Sequence, residues 1–232
     1  MNYFMVQAYS EYNICFKITT RTRPNWFRET VESIMNLANN NRYFILVSAD
    51  IDDTTMYNKE MALWCAQRGI VIIYGTSKNK IDAINRDVLA LKKPNWDILV
   101  NVSDDQRFLY KGFDEDIRKE FAQGLDLFVH FPDNNRADIC TMSIMGKDYY
   151  LRDNYIYHPD YISICCDEEA TEVAKIRGRY RFNEKILIKH LHPGYGTAQW
   201  DNLYIKNEAQ DISDKDRETL RFRRFAGFHL KS

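Results

Sequence analysis

Apolar residues in the first half of the chain recur at two spacings, one typical of strands and one typical of helices. Together these spacings predict strands that alternate with helices. Short apolar or alternating runs predict four strands, at 15–19, 43–49, 70–74 and 97–102. Apolar residues at helical spacing predict helices between them, at 26–38 with Asn25 as N-cap, at 57–68 and at 79–91. This order predicts an α/β fold with a Rossmann-like, mostly parallel central sheet and helices on both faces.

The second half of the chain has a less regular pattern. It predicts helices at 114–123, 168–177 and 214–225, with Asp167 as the N-cap of the second. Strands are predicted at 125–131, 138–146 and 180–191, whereas the tyrosine-rich stretch 149–161 has no clear assignment. No repeat or flexible linker divides the sequence, so we expect one domain over residues 1–232.

Composition and charge narrow the class of protein. A chain of 232 residues with 45% hydrophobic and 28% charged residues is typical of a soluble globular protein. Its net charge of −1 provides no global field for nucleic acid or an anionic membrane. There is no transmembrane-length apolar run and no signal-peptide pattern. Five cysteines without a Cys-x-x-Cys pair favour a reducing compartment, and therefore a cytoplasmic protein.

Two adjacent carboxylates, Asp104 and Asp105, follow the fourth predicted strand directly. Acids at the C-terminal end of a core strand lie where open α/β sheets bind their ligands. A hard cation such as Mg²⁺ takes one or two carboxylates together with the phosphates of a substrate. The two residues are therefore candidates for holding a metal ion and, through it, a nucleotide diphosphate. The alternative is a solvated turn that merely ends the strand.

Three other loops at strand ends carry candidate nucleotide-binding residues. The first offers hydroxyls and guanidinium groups beside a helix N-terminus, as an anion site requires: Thr19, Thr20, Arg21 and Arg23. In the second loop, Asp50 and Asp52 are suited to accept hydrogen bonds from a nucleobase N–H. In the third, Lys80 and Arg86 are suited to neutralise a diphosphate. The alternatives are ordinary strand-to-helix loops and a solvated basic helix face.

A late acidic cluster and two histidines complete the set of candidates. Asp167 or Glu168 would deprotonate an acceptor hydroxyl if its pKa is raised, although acids in a first turn also complement the helix dipole. His190 and His192 point to one face if the strand continues through them, so either would complete the ligands of a metal. The alternative is a pair of structural or exposed histidines.

Taken in order, these motifs resemble a GT-A-fold glycosyltransferase of the family 2 type, from about residue 16 to residue 193. The loop Thr19-Thr20-Arg21-Thr22-Arg23-Pro24 is similar to the family's nucleoside-binding loop. Asp52, with Asp50 as the alternative, resembles the acid that contacts the base. Lys80-Ile81-Asp82-Ala83-Ile84-Asn85-Arg86 matches a basic residue followed by an Ala-x-Asn pattern. Ser103-Asp104-Asp105 stands in place of the DxD signature, with a serine at its first position.

The resemblance implies a role for each of these residues. Asp105 would ligate the metal, and Asp104 would face the ribose or the donor sugar. Asp167 would be the acid that activates the acceptor, with Glu168 as the fallback. His192, which precedes Pro193, would close the metal shell.

The resemblance further implies a metal-dependent glycosyltransferase of the hexosyltransferase type that uses Mn²⁺ or Mg²⁺. It would move a sugar from a nucleoside-diphosphate sugar, with a UDP-sugar as the first choice, to an acceptor hydroxyl, with inversion. Residues 1–110 would be the nucleotide-binding half, 111–200 the acceptor-binding half and 201–232 a C-terminal tail. A glycan, a protein, a lipid and a modified nucleobase all remain open as acceptors.

Two other functions compete with this prediction. A nucleotidyltransferase also pairs such a sheet with a metal and a nucleotide, but it would release pyrophosphate from a nucleoside triphosphate. A non-catalytic module would bind a nucleotide, or would bind nucleic acid through Arg221, Arg223 and Arg224 with the intervening Phe222.

Overall fold

Four parallel strands form the first part of a seven-stranded sheet in the computed structural model, which describes residues 9–90 and 95–230. They are β1 (Ile14–Thr19), β2 (Tyr43–Asp50), β3 (Val71–Gly75) and β4 (Ile98–Ser103). β1 pairs with β2 on one side and with β4 on the other. Each strand begins and ends within one residue of its predicted bounds, so this part of the prediction is confirmed.

The remaining strands are short and come from distant parts of the sequence. They are β5 (Gln106–Phe108), β6 (Phe128–His130), β7 (Ile144–Gly146), β8 (Tyr180–Phe182) and β9 (Ile188–His190). The sheet has the order β3-β2-β1-β4-β7-β6-β8, and β7 is antiparallel to both of its neighbours. β5 and β9 form a separate antiparallel pair. The single strand predicted at 180–191 is therefore wrong, because it is two strands that belong to two sheets.

The α-helices connect and cover these strands. They are α1 (Pro24–Leu37), α2 (Lys59–Gln67), α3 (Lys80–Asn85), α4 (Phe113–Glu120), α5 (Lys147–Tyr150), α6 (Cys166–Ile176), α7 (Asn202–Asn207) and α8 (Gln210–Phe225). Short 3₁₀ turns lie at Pro193–Tyr195 and Gly227–His229. Over residues 9–90 and 95–230, we find no helix with the length and apolar character needed to cross a membrane.

Apolar residues cover both faces of the sheet, as the alternation along β1 illustrates. Phe16 packs in one layer with Phe27 and Val31 of α1, and α2 and α4 contribute to the same layer. Cys15 packs in the opposite layer with Ile81 of α3, where α6 and α8 also contribute. The predicted α/β fold, a mostly parallel sheet with helices on both faces, is therefore confirmed.

Three helix ends differ from their predicted positions. α1 begins at Pro24, because proline suits a first helical position that needs no N–H, so Asn25 is not its N-cap. α6 begins after Cys165, which has a φ of 62°, so Asp167 lies inside the first turn and is not the N-cap. α3 ends at Asn85, and Asp87 follows with a φ of 72°. Leu91, where that helix was predicted to end, lies outside the described residues.

A buried ion pair fastens α4 to the start of the sheet and gives a testable prediction. Arg118 donates to Asp114 and also to the carbonyl oxygens of Tyr12 and Arg42, each at 2.8 Å. Arg118→Met would leave the Asp114 carboxylate buried without its cation, so we expect the free energy of unfolding to fall by about 3–5 kcal/mol. Urea unfolding measures this loss.

The control for that experiment is Lys215→Met, which removes an exposed pair with Asp211 on α8. Exposed pairs contribute less than about 1 kcal/mol. If both variants lost similarly little stability, the ion pair of α4 would not be a determinant of the fold.

Candidate active site

The candidate active site lies where the order of the parallel strands reverses. The chain passes from β1 to β2 and β3 on one side and then returns to β4 on the other side of β1. The loops after β1 and β4 therefore leave a crevice at the C-terminal ends of these strands. Thr20 and Asp104 meet across it, with Thr20 Oγ1 donating to Asp104 Oδ2 at 2.9 Å.

Asp104 and Asp105 are both buried in this crevice, with exposed fractions of 3% and 4%. Burial and the neighbouring charge of Asp105 raise the pKa of Asp104 to about 7. Burial acts in the same direction on Asp105, but the charge of the nearby His190 and a hydrogen bond from Tyr204 outweigh it and lower the pKa of that carboxyl. The surroundings therefore favour the charged form at Asp105 more than at Asp104.

His190, at the end of β9, connects Asp105 to a second acid. His190 Nε2 lies 3.5 Å from Asp105 Oδ1, and His190 Nδ1 lies 2.9 Å from Asp133 Oδ2. Thr141 Oγ1 and two backbone N–H groups hold Asp133 in place. Burial would lower the pKa of His190, but the two carboxylates outweigh it and raise that pKa to about 9.

Arg23 and Tyr204 cover the other side of the two aspartates. Arg23 Nη1 lies 3.3 Å from Asp104 Oδ1, and the same guanidinium makes a bidentate pair with Asp201 at 2.7 and 2.8 Å. The guanidinium carbon stands 3.8 Å from the ring centroid of Tyr204. Tyr204 OH donates to Asp105 Oδ2 at 2.7 Å. The segment before α7 and α7 itself thus form part of the site, although residues 201–232 were expected to be a tail.

A second group of candidates meets at the ends of β2 and β3. Arg21 pairs with Asp50 at 2.8 Å and with both carboxylate oxygens of Asp52 at 2.7 Å. Asp50 also accepts a hydrogen bond from Ser77 Oγ at 2.7 Å. Asp52 is largely exposed, whereas Asp50 is mostly buried. The structure therefore brings the two predicted base-contacting acids together on one arginine.

The candidates on and near α3 occupy different environments. Asn85 caps a neighbouring loop: its Oδ1 accepts from the N–H groups of Ile156 and Tyr157, and its Nδ2 donates to the Tyr157 carbonyl oxygen at 2.7 Å. Arg86 is largely buried, and its guanidinium donates hydrogen bonds to acceptors within the protein. Lys80 is exposed, and its positive charge partly opposes the rise in the pKa of Asp167 that burial causes.

Asp167 and Glu168 lie in the first turn of α6, where their side chains have different surroundings. Desolvation raises the pKa of Asp167 above its ordinary value, in opposition to the charges of Lys80 and Arg136. Glu168 instead pairs with Arg224 at 2.8 Å. Asp167 is thus a candidate proton acceptor, whereas the carboxylate of Glu168 is held in an ion pair.

His192 lies beyond the end of β9 and has other partners than His190. Its Nε2 lies 2.8 Å from Glu208 Oε1, and its Nδ1 accepts from the Gly194 N–H at 3.1 Å. The ring packs against Tyr204, with 5.0 Å between the ring centroids. Both nitrogens of His192 are therefore engaged, whereas Nε2 of His190 faces Asp105.

The donors beside Asp105 fit a divalent cation of the Mg²⁺ or Mn²⁺ type. Asp105 Oδ1 is buried without a hydrogen-bond partner among the described residues, and it faces His190 Nε2, whose proton a bound cation would displace. Asp133 orients that imidazole as second-shell carboxylates do in metal sites. In the described ranges, no three His, Cys, Asp or Glu side chains already form a metal-binding group. Substrate phosphates and water would therefore supply the remaining ligands.

The basic side chains of α8 are mostly neutralised within the protein. Arg223 is buried and makes a bidentate pair with Glu169 at 2.8 Å. Arg224 pairs with Glu168 and Glu172. Arg221 alone of the three predicted arginines remains exposed without a described ion pair. Two of the three arginines on which the nucleic-acid alternative depends are therefore paired within the protein.

Three site residues were not found from the sequence: Asp133, Asp201 and Tyr204. The Asp-Asn-Asn run that begins at Asp133 signals a turn, and Asp201 has the signature of an N-cap, which it is. Because a local role already explains each residue, the sequence does not indicate that Asp133 contacts His190 or that Asp201 contacts Arg23. For Tyr204, nothing in the sequence indicates a hydrogen bond to Asp105.

The sequence matches no protein-family model and no curated protein. Solved structures, however, share the architecture. The mannosyltransferase PcManGT from Pyrobaculum calidifontis, in complex with GDP-Man and Mn²⁺, has a TM-score of 0.69 and 12% identity, over 94% of this chain and 70% of that chain. Glucosyl-3-phosphoglycerate synthase from Mycobacterium tuberculosis, in complex with Mg²⁺ and UDP, has a TM-score of 0.57 and 10% identity, over 82% and 75%.

TarS from S. aureus is also similar, with a TM-score of 0.59 and 12% identity. The match covers 77% of this chain but only 36% of TarS. These structures are of the GT-A type, and this chain has the GT-A fold, as its sequence motifs predicted.

Proposed function

We propose that this chain, which has the GT-A fold, is a glycosyltransferase that moves a sugar from a nucleoside-diphosphate sugar to an acceptor hydroxyl. One observation carries the proposal: a buried pair of carboxylates lies at the strand-order reversal, and one oxygen of Asp105 accepts no hydrogen bond from the described residues and lies 3.5 Å from His190 Nε2. A cleft of this kind suits a cation and a diphosphate.

The donor is proposed from the neighbouring loops and from the ligands of similar proteins. PcManGT was solved with GDP-Man, and the mycobacterial synthase with UDP and with UDP-Glc. In this chain, the cluster of Arg21, Asp50 and Asp52 would contact the nucleoside, and Lys80 would lie beside the diphosphate. We keep a UDP-sugar as the first choice and a GDP-sugar as the second.

Asp105 and His190 would hold Mn²⁺ or Mg²⁺ in this proposal, and Asp104 would face the ribose or the donor sugar. When bound, such a cation neutralises the charge that develops on the leaving diphosphate. His192 was the histidine that the family resemblance favoured. We prefer His190, because its Nε2 faces Asp105 while Nδ1 is oriented by Asp133.

Asp167 would act as the general base. It takes the proton of the acceptor hydroxyl while the hydroxyl oxygen bonds to the anomeric carbon and the bond from that carbon to the diphosphate oxygen breaks. Attack from the side opposite the leaving group inverts the anomeric configuration. The raised pKa of Asp167 makes it a stronger base than an ordinary aspartate.

A thermal-shift panel tests the proposed function. The panel contains UDP- and GDP-sugars and the corresponding nucleoside triphosphates, each with Mn²⁺, Mg²⁺ or EDTA. A ligand at a hundred times its Kd adds about 2.7 kcal/mol of apparent stability, which corresponds to roughly 5–10 °C for a chain of this size. We expect that shift from a nucleoside-diphosphate sugar with metal. A shift from triphosphates only, with pyrophosphate release, would make the protein a nucleotidyltransferase instead.

The choice between the two histidines is a separate prediction. We expect His190→Gln to weaken Mn²⁺ binding at least as much as Asp133→Asn, for which loss of a second-shell carboxylate predicts about 10- to 100-fold. His192→Gln should change the Mn²⁺ Kd by less than about 3-fold, because its partner is Glu208. Electron paramagnetic resonance titration of Mn²⁺ in the presence of UDP measures all three. The reverse order of effects would return the ligand role to His192.

A further inference from the structure

Lys17 is a fully buried basic residue of β1. It lies two residues before Thr19, the first residue of the candidate nucleoside loop. Its Nζ donates to Ser48 Oγ at 2.7 Å, to the Ala83 carbonyl oxygen at 3.2 Å and to Thr19 Oγ1 at 3.3 Å. These acceptors belong to β2, α3 and β1. An ammonium group has three N–H donors, so each one has a partner, as a buried charge requires.

Ser48 extends this arrangement toward the end of α3. Ser48 Oγ donates to Asp87 Oδ2 at 2.6 Å, and Arg86 Nη1 donates to the same oxygen at 2.9 Å. Asp87 has a φ of 72°, a left-handed conformation that is unfavourable for a residue with a side chain. The hydrogen bonds to its carboxylate hold it there.

Arg86 then carries the network to the candidate nucleoside site. Its Nε donates to Ser77 Oγ at 2.9 Å, and Ser77 Oγ donates to Asp50 Oδ1 at 2.7 Å. The guanidinium crosses β3 at Gly75, where a Cβ atom would collide with Arg86 Nη1. A continuous chain of contacts therefore leads from Lys17 to Asp50, which accepts from Arg21.

We propose that Lys17 is a positioning residue that holds Asp50 and Arg21 in a nucleoside-binding arrangement through Ser48, Asp87 and Arg86. The inference rests on the proposed function, because it takes Asp50 and Arg21 as nucleoside contacts. Lys17 itself has no exposed surface, so its effect on a ligand has to pass through other residues. Its effect is to fix, before binding, side chains that would otherwise be ordered during binding.

The surroundings of Lys17 also make this arrangement sensitive to pH. The charged and titratable groups that face it are Asp87, Cys15 and Arg86. Burial lowers the pKa of Lys17 to about 7, against the opposing attraction of Asp87. The ammonium is thus present below about pH 7 and is lost as the pH rises through that value, so nucleotide affinity due to Lys17 falls over the same range.

Calorimetric titration of Lys17→Met with UDP and GDP tests the inference. Substitution of a residue in such a network typically changes the affinity of the connected site. We expect a Kd for the nucleotide that is roughly 3- to 30-fold higher. Arg118→Met is the matched control, because it also removes a buried cation but lies on α4, outside the network. It should lower stability and leave the Kd within about 2-fold. The affinity ratio of wild type to Lys17→Met should fall toward one between pH 6 and pH 8.

A second variant keeps the test decisive if Lys17→Met does not fold. Ser48→Ala retains the lysine and removes its connection to Asp87, so it should weaken nucleotide binding in the same direction. A Kd unchanged in both folded variants, while the wild type binds, would overturn the positioning role and leave the proposed function intact. A wild-type protein that binds neither nucleotide would overturn both.

Discussion

Replacement of Asp105 by asparagine is expected to reduce sugar transfer by about 10²- to 10³-fold, the loss that follows removal of one electrostatic contact to a developing charge. The substitution preserves size, and Tyr204 OH is still able to donate to the remaining oxygen. The charge beside His190 is lost, so affinity for Mn²⁺ should fall as well. Initial rates with a UDP- or GDP-sugar and Mn²⁺ titration measure the two effects together.

Asp216→Asn is the matched control for this experiment. Asp216 is also fully buried, but its carboxylate accepts from the backbone N–H groups of Ile162, Ser163 and Ile164, away from the two aspartates. The control should lose stability without losing affinity for Mn²⁺. A wild-type rate in Asp105→Asn, or in EDTA, would refute the metal-binding role of Asp105.

Replacement of Asp167 by asparagine is expected to lower kcat by about 10²- to 10⁴-fold, the usual contribution of a general base. The Kd for the donor should stay the same, because the acid is proposed to act on the acceptor alone. In the wild type, kcat should fall as the pH drops through the pKa of Asp167, which is higher than that of an ordinary aspartate. The pH profile of single-turnover transfer measures this acid limb.

Variants of two glutamates in α6 test whether the effect of Asp167→Asn is catalytic or comes from the charge at the helix terminus. Glu172 lies one turn after Glu168 and pairs with Arg224, so Glu172→Gln should not change kcat. Glu168→Gln tests the fallback base. If Glu168→Gln lost as much activity as Asp167→Asn is expected to lose, or if Asp167→Asn transferred sugar normally, the base would have to be assigned elsewhere.

The first four strands were predictable because each is a mostly apolar run that is long enough to set its own pattern. β1 and β4 each have five consecutive buried positions. In the second half, β6, β7, β8 and β9 have three residues each. Such short strands are fixed by pairing with distant strands, and local alternation does not contain that information.

The histidines of the candidate site illustrate what a local pattern does and does not contain. β9 ends at His190, but the backbone stays extended at His192, so the two rings remain in contact, with 5.6 Å between their centroids. The pattern does not show that His190 faces Asp105 while His192 pairs with Glu208. The adjacent aspartates were predictable because they follow a long strand. Tyr204 was not, because it reaches Asp105 across 99 positions of sequence.

The pairing of Arg23 with Asp201 has a consequence for the order in which the protein is made. The two residues are 178 positions apart, and Tyr204 follows three residues after Asp201. During synthesis, the ribosome releases the strands of the crevice long before it releases α7. Until then, Arg23 lacks its bidentate acceptor and Asp105 lacks its phenol donor. A nascent chain therefore cannot complete this cleft until α7 has been synthesised.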